Sequence, residues 1–545
     1  MDVTQKKWDF IIVGTGMGGA TLGYALAKAG KSVLFCEKGR DLRSSDALRG
    51  RRLKELCEPE TIRGASREDY FSRAGRSTLT LADADGRHVV EPLIGCGTGG
   101  STALFGMILE RLFPSDFQPR ANFPLNHDGA SLPERWPIQF ADLLTYYEAA
   151  EKLYRVKGTP DPLAKQKPKG FMPSPPLSPV SRELFDFFKT KGCHPYQVPR
   201  SFENVPGCES CMGYLCPQNC KNDSARICLE PALQQHGAVL IDRCEVEKLQ
   251  ADRSQVTGVI CMRQGERLKL QARTVILAAG ALVTPAILLN SVSPVWPQGL
   301  ANDSGMVGRN LMRHLVDLYV IWPKQDPRST LDVKEIAFND FYAVDGEKLG
   351  TVQSFGKMFP AMILTSQLET QIRQSALSAF LPLFRLARPV TQRIIDRYFG
   401  KSIVFASLLE DLPYASNCVY LPKAPAGTHA LSSLGLDYRI SQHDLHRLNE
   451  MRRRMKTLLK PYRTLTLQTS SNNGMMAHVC GTVRFGDDPK TSVLDSTNRA
   501  HGIGNLYVVD GSFFPSSTGT NPALTIAANA LRVSEKILAK DNEQR

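Results

Sequence analysis

Asp9-Phe10-Ile11-Ile12-Val13-Gly14-Thr15-Gly16-Met17-Gly18-Gly19, continued by Lys31-Ser32-Val33-Leu34-Phe35-Cys36-Glu37, is the stretch from which the fold follows. The unbroken apolar run before Gly14 reads as a strand buried on both faces, as in a parallel sheet. Residues Gly18–Ala27 are rich in small side chains and read as a helix packed closely on that strand, and Lys31–Cys36 reads as a second strand ending at Glu37. The turn between carries Gly14-x-Gly16-x-x-Gly19. Glycines there allow a tight turn and let backbone N–H groups approach a pyrophosphate at the helix N-terminus, and an acid at the end of the second strand can accept hydrogen bonds from a ribose. Strand, glycine turn, helix and acid together predict a dinucleotide-binding βαβ unit with Gly14, Gly16, Gly19 and Glu37 in contact with the cofactor.

The chain of 545 residues is too long for one small core, yet it has no low-complexity tract or polar linker, which predicts one large globule of two interleaved domains. No window approaches the roughly 18 apolar residues of a membrane span. The N-terminus lacks an apolar signal region, so a cytoplasmic protein is expected. Thirteen cysteines is an odd number, and Cys36, Cys57, Cys261 and Cys418 sit among apolar neighbours, as buried thiols of a reducing compartment do. The net charge of +13 would suit an acidic partner or an anionic surface. The basic runs Arg49–Lys54 and Arg452–Lys456 are short and no motif organises them, so no nucleic-acid partner is expected. Residues 158–180 read as an extended excursion, and 376–400, with Arg385, Arg388, Arg393 and Arg397 among Leu, Phe and Ile, as a partly buried segment broken by Pro382 and Pro389.

Near the other end stand Ala477-His478-Val479-Cys480-Gly481-Thr482, Asp510-Gly511 and Gly519-Thr520-Asn521-Pro522-Ala523-Leu524. With the glycine turn, these segments resemble the glucose-methanol-choline (GMC) oxidoreductase family, whose members oxidise alcohols with FAD. The glycine turn alone leaves NAD or FAD open. Thr274–Gly280 with Thr284-Pro285 resemble a strand and turn recurrent in FAD-linked proteins with two dinucleotide domains, Gly308-Arg309-Asn310 and Asp510-Gly511 match family positions along a flavin, and the resemblance therefore implies FAD. It implies cofactor contacts at Gly97, Gly99, Gly100 and Ser101 beneath the flavin ring, at Val246, Ala279 and Gly280, and at Asp510, Gly511, Asn521, Pro522 and Leu524.

The implied fold is α/β, a Rossmann-like FAD-binding domain of GMC type with an interleaved substrate domain on an antiparallel sheet. Its expected divisions are 8–157, 226–317 and 471–540 for the FAD domain, 158–225 for a Cys-rich excursion and 318–470 for the substrate domain. His478 matches the family's catalytic histidine, whose neutral imidazole can take a hydroxyl proton while hydride leaves for flavin N5. Asn521 matches the second catalytic position, where an amide can donate to the alcohol oxygen. Two departures stand out. Phe105 replaces an Asn common in relatives, and Arg313, in Gly308-Arg309-Asn310-Leu311-Met312-Arg313-His314, replaces an Asp.

Cys208-x2-Cys211-x4-Cys216-x3-Cys220, with Cys228 beyond, is compact enough to wrap a metal centre. Cys211–Cys220 resembles the iron–sulfur loop of bacterial FAD-dependent sugar dehydrogenases, although Ser210 breaks the adjacent cysteine pair found there. Iron–sulfur ligation by Cys208, Cys211, Cys216 and Cys220, zinc, and unligated thiols or disulfides all stay open. The expected activity is FAD-dependent oxidation of a CH–OH group of a sugar, polyol or other alcohol. A cluster would imply an electron-accepting partner subunit and export alongside it to the periplasm. The alternatives are an oxidase using dioxygen, with the loop purely structural, and a flavin-bearing lyase.

Overall fold

The computed structural model describes residues 2–50, 66–77, 79–83, 86–90, 94–123, 129–208, 210–329, 334–344, 346–357, 365, 369, 372, 378–422, 433–471 and 476–543. Cys57 and residues 51–54 of the first basic run lie outside them.

Phe10, Ile11, Ile12 and Val13 are buried in the strand Lys7–Val13, which has parallel neighbours on both sides, Val33–Cys36 and Glu266–Leu277. Val239–Ile241 and Leu506–Val508 extend the parallel pairing outward. The long strand Glu266–Leu277 changes partners halfway. Its second half follows Lys7–Val13, while residues 266–270 pair antiparallel with Val256–Arg263, which in turn pairs with Cys244–Ala251. A seven-stranded mixed sheet results.

The helix Met17–Lys28 lies against this sheet because glycines let it. A Cβ on Gly18 would stand 1.9 Å from the Val509 carbonyl oxygen, and one on Gly19 would stand 2.2 Å from that of Gly14. The helix Ala523–Glu543 packs against it, and Phe140–Leu153 packs in turn against Ala523–Glu543. Buried hydroxyl pairs tie this layer together, Tyr154 Oη to Thr21 Oγ1 at 2.7 Å and Tyr147 Oη to Thr525 Oγ1 at 2.8 Å. A buried hydroxyl left unpaired costs about 1–3 kcal/mol, so these contacts fix the helices' rotation as well as their spacing.

The second sheet has six strands in the order Arg463–Leu467, Leu315–Trp322, Ile403–Leu409, Gly350–Lys357, Ile336–Phe338 and Tyr196–Gln197, antiparallel throughout. Strand alternation gives it two faces. Tyr319, Ile321 and Phe405 join the main core, while Leu318, Ala406 and Leu408 face the other way and line the central cavity. The expected Rossmann-like unit and antiparallel sheet are both present. The strand Leu315–Trp322 straddles the expected boundary at 318, and Tyr196–Gln197, from the expected excursion, closes the far edge.

Residues 381–399 differ from expectation. They form one helix that continues through Pro389, and Leu383, Leu386, Val390 and Ile394 are exposed. Pro382 falls in the first turn, where its missing N–H has no intrahelical partner to lose. Pro389 is tolerated because water can reach the carbonyl it orphans on an exposed helix. Among the described residues no helix is long and apolar enough to cross a membrane.

Candidate active site

A cavity of about 1020 Å³ runs from the N-terminus of the helix Met17–Lys28 to the face of the antiparallel sheet. Gly14 and Gly16 line its dinucleotide end for different reasons. Gly14 has φ +98°, and a Cβ there would stand 2.4 Å from the Ala278 carbonyl oxygen, so backbone packing requires it. A Cβ on Gly16 would meet no atom within 4 Å. The missing side chain there leaves open space in front of the helix, whose N-cap offers no side-chain oxygen to its first amides. Free amide donors at the positive end of a helix dipole, with room before them, fit a pyrophosphate.

Glu37 lines the same end with its carboxylate engaged. Oε2 accepts from Thr15 N (3.1 Å) and Thr15 Oγ1 (2.6 Å), and Oε1 accepts from Gly39 N (3.0 Å) and Gly97 N (3.2 Å). A carboxylate has about four acceptor positions. A ribose hydroxyl at Glu37 would therefore have to displace one of these four donors.

Ala279, Gly280, Asp510 and Gly511 meet on one wall. Asp510 Oδ2 accepts from Gly280 N (2.9 Å) and Thr284 Oγ1 (2.5 Å), which welds the two turns together. Gly100, Ser101, Val246 and Pro522 also line the cavity, whereas Gly19, Gly97, Gly99 and Leu524 stand behind its wall. Gly97 acts there through its amide on Glu37, and Leu524 is wholly buried. Phe105 puts an aromatic ring in the lining, and Gly308-Arg309-Asn310 lies off it.

At the sheet end the cavity receives His478 and Asn521. Backbone bonds Met312 N to Cys480 O (3.0 Å) and Cys480 N to Met312 O (2.9 Å) form an antiparallel bridge. Two residues along on each side, the next same-face pair of such a register is His314 with His478. Their Nδ1 atoms are 2.8 Å apart, and His314 Nε2 stands 3.1 Å from the carbonyl oxygens of both Ser517 and Thr518. Burial holds His314 down at about 4, the two carbonyls opposing it. Burial, then the adjacent His314 and Lys334, hold His478 well below its ordinary 6.5, so its imidazole is neutral at physiological pH. Asn521 is buried with its Oδ1 unpaired.

The loop that carries Asn521 rests on buried charges that the sequence did not reveal. Lys348 Nζ pairs with Asp116 and Glu410; Glu410 accepts from Thr518 N (3.2 Å), and Tyr342 Oη accepts from Gly519 N (3.1 Å). Glu110 accepts from Thr520 Oγ1 (3.1 Å) and from Tyr196 Oη. Burial pushes Glu110 up to about 7 against 4.5 for a free carboxyl. A raised carboxyl pKa stabilises the fold below the unfolded value, and that stability is lost as pH rises through the folded one. Glu110→Gln is therefore expected to remove a decline of about 2–3 kcal/mol in unfolding free energy between pH ~4.5 and ~8, by 1.36 kcal/mol per unit. Urea unfolding of both proteins at the two pH values checks this.

Arg313, the other departure noted in the sequence, lines the cavity with its charge engaged. Its amide donates to Asp411 Oδ2 (3.0 Å), Nη2 donates to Ser470 O (2.6 Å), and the guanidinium lies 4.6 Å from the Tyr438 ring centroid.

The cysteine loop folds its four sulfurs together. Cys216 and Cys220 Sγ stand 3.5 Å apart and Cys220 and Cys208 Sγ 3.8 Å, with Cys211 hydrogen-bonded to Cys216. Cys228 lies elsewhere, 3.3 Å from Tyr154 Oη. Among the described residues no three or more His, Cys, Asp or Glu side chains are grouped to hold a metal ion. The sulfurs of Cys208, Cys211, Cys216 and Cys220 pack on one another and on Tyr214 in a largely buried cluster.

Comparison with known proteins agrees with this architecture. Residues 12–64 match an NAD(P)-binding Rossmann-like domain, 174–316 match the N-terminal GMC oxidoreductase domain, and 413–530 match the C-terminal one. The chain belongs to the GMC oxidoreductase family, which binds FAD. It is 28% identical to 6'''-hydroxyparomomycin C oxidase of Streptomyces lividus, over 98% of this chain and 92% of that protein. It is 23% identical to the fructose dehydrogenase large subunit of Gluconobacter japonicus, over 97% of each. The crystal structure of pyridoxine 4-oxidase from Mesorbium loti shares the fold, with TM-score 0.63, 20% identity and coverage of 97% of this chain and 99% of that one.

Proposed function

We propose that the chain oxidises a CH–OH group of a neutral or acidic alcohol, sugar or polyol to a carbonyl. One observation carries the reading: a buried, neutral imidazole, His478, lines the same cavity as the glycine turn and the unpaired amide oxygen of Asn521. Gly14, Gly16, Glu37, Gly100, Ser101, Val246, Ala279, Gly280, Asp510, Gly511 and Pro522 would hold FAD along the cavity. Bound FAD supplies the two-electron acceptor for a hydride from the alcohol carbon. His478 takes the hydroxyl proton, and burial keeps it in the form able to do so. Asn521, buried in the lining of the same cavity, presents an amide whose N–H group can steady the oxygen as charge gathers on it. The apolar sheet face of Leu318, Ala406 and Leu408 excludes water from the same space.

The relative named for fructose brings sugars into the substrate class. Arg313, Lys334 and Lys357 line the cavity together with Asp396, a balance that favours neutral or acidic substrates over cationic ones.

The test follows the pH dependence of anaerobic flavin reduction with neutral, acidic and amine-bearing alcohols. Because His478 is held well below 6.5, the rate is expected to stay level as pH falls through 6.5. A loss of rate centred on 6.5, or a preference for the amine-bearing alcohols, would contradict the reading.

A further inference from the structure

We propose that His314 is a positioning residue for this reaction: it locks His478 in the Nδ1–H tautomer, so that the Nε2 lone pair is the one available to the substrate. The proposal rests on the reading of His478 as the base.

The argument is one of donors and acceptors. Two backbone carbonyl oxygens, of Ser517 and Thr518, stand 3.1 Å from His314 Nε2. Carbonyls only accept, so Nε2 carries a hydrogen. A neutral imidazole has one N–H, which leaves His314 Nδ1 as a bare lone pair. That lone pair faces His478 Nδ1 at 2.8 Å, and a contact this short between two ring nitrogens needs one hydrogen between them. The hydrogen therefore belongs to His478 Nδ1. His478 is neutral too, so its Nε2 is unprotonated and can accept. With the opposite tautomer His478 would offer an N–H and could not take a proton from a hydroxyl.

The rings meet at 81° with centroids 4.9 Å apart, so the pair is held edge to face rather than stacked and either ring could turn without the other. The two carbonyls prevent this, because a turned His314 would leave both without their shared donor. When the hydroxyl proton arrives on Nε2, His478 becomes a cation, and its Nδ1–H bond to His314 strengthens as a charge-assisted bond. His314 gains and loses no proton. The chain of constraint runs from the 517–518 backbone through His314 to His478, across residues that the antiparallel bridge at Met312 and Cys480 has already aligned.

The test compares His314→Leu, which removes the acceptor, with His314→Asn, whose Oδ1 stands about where the His Nδ1 stood, in the FAD-loaded protein. His314→Leu is expected to slow anaerobic flavin reduction by about 10- to 100-fold, the range for partners that fix an imidazole tautomer. The concentration of alcohol needed for half the maximal rate should change little, and His314→Asn should restore most of the loss. In a His478→Ala background His314→Leu should cost nothing further. Nitrogen-15 spectra of histidine-labelled wild-type protein read the tautomer independently of catalysis: His478 should show a protonated Nδ1 and a bare Nε2. A protonated Nε2 there, wild-type rates in His314→Leu, or an equal loss with and without His478 would overturn the proposal. Failure of His478→Ala alone to slow reduction would count against the base assignment, while the spectra would still decide the tautomer.

Discussion

His478→Ala is expected to slow anaerobic flavin reduction by about 10²- to 10⁴-fold, the usual worth of a positioned general base, while FAD stays bound. The separation of the two effects follows from the architecture. FAD would be held by the 9–37 unit, the 279–280 turn and the 510–511 turn, all on the seven-stranded sheet and its loops. His478 reaches the cavity from a separate loop, pinned by the Met312–Cys480 bridge and held at φ +58°. A non-glycine residue in the left-handed region costs about 1–3 kcal/mol, and the surrounding bonds hold it there to aim one side chain. Stopped-flow reduction, with flavin content measured on the same sample, checks both halves. Reduction at the wild-type rate would remove His478 from the chemistry, and loss of FAD would make its role structural.

The second large effect concerns stability. Lys348→Met is expected to destabilise the protein by about 3–5 kcal/mol, the cost of leaving a buried charge uncompensated. Lys348 is 2% exposed and Asp116 and Glu410 are wholly buried, so removing the ammonium leaves two carboxylates facing each other without water. Because those carboxylates can then escape by protonation, the loss should be smaller at pH 5 than at pH 8. The same substitution should lower turnover more than substrate affinity, since Glu410 and Asp116, through Tyr342, brace Thr518 and Gly519 just before Asn521. Urea unfolding at both pH values measures the effect; a change below about 1 kcal/mol would mean the three groups are not a coupled buried set.

The sequence-legible part of this molecule is the part held together by local rules. The strand–glycine–helix unit at 9–37 could be read because each step constrains the next within a few residues, and the helix begins at Met17, one residue before its expected start. His478 and Asn521 stood out through their family setting, and both line the cavity. His314 carries no mark of its role in sequence, because its partner is 164 residues away and only the bridge between Met312 and Cys480 brings the two together. The Lys348 cluster was invisible for another reason: a charged residue in sequence carries no mark of whether it is solvated or buried, and Asp116, Glu410 and Glu110 come from distant segments. In the cysteine loop the spacing allowed iron–sulfur, zinc or plain thiols, because spacing alone does not say where the sulfurs point. The 381–399 helix shows the opposite error, since its two prolines read as breaks although one is in the first turn and the other on an exposed helix that water can repair.

The most direct test of the central claim is the absorbance of FAD-loaded protein mixed anaerobically with neutral and acidic polyols, with carbonyl product counted in the same cell. The account expects the flavin bands to bleach and one carbonyl to appear for each flavin reduced. Flavin that stays oxidised with every such alcohol while remaining bound, or bleaches without carbonyl product, would contradict it.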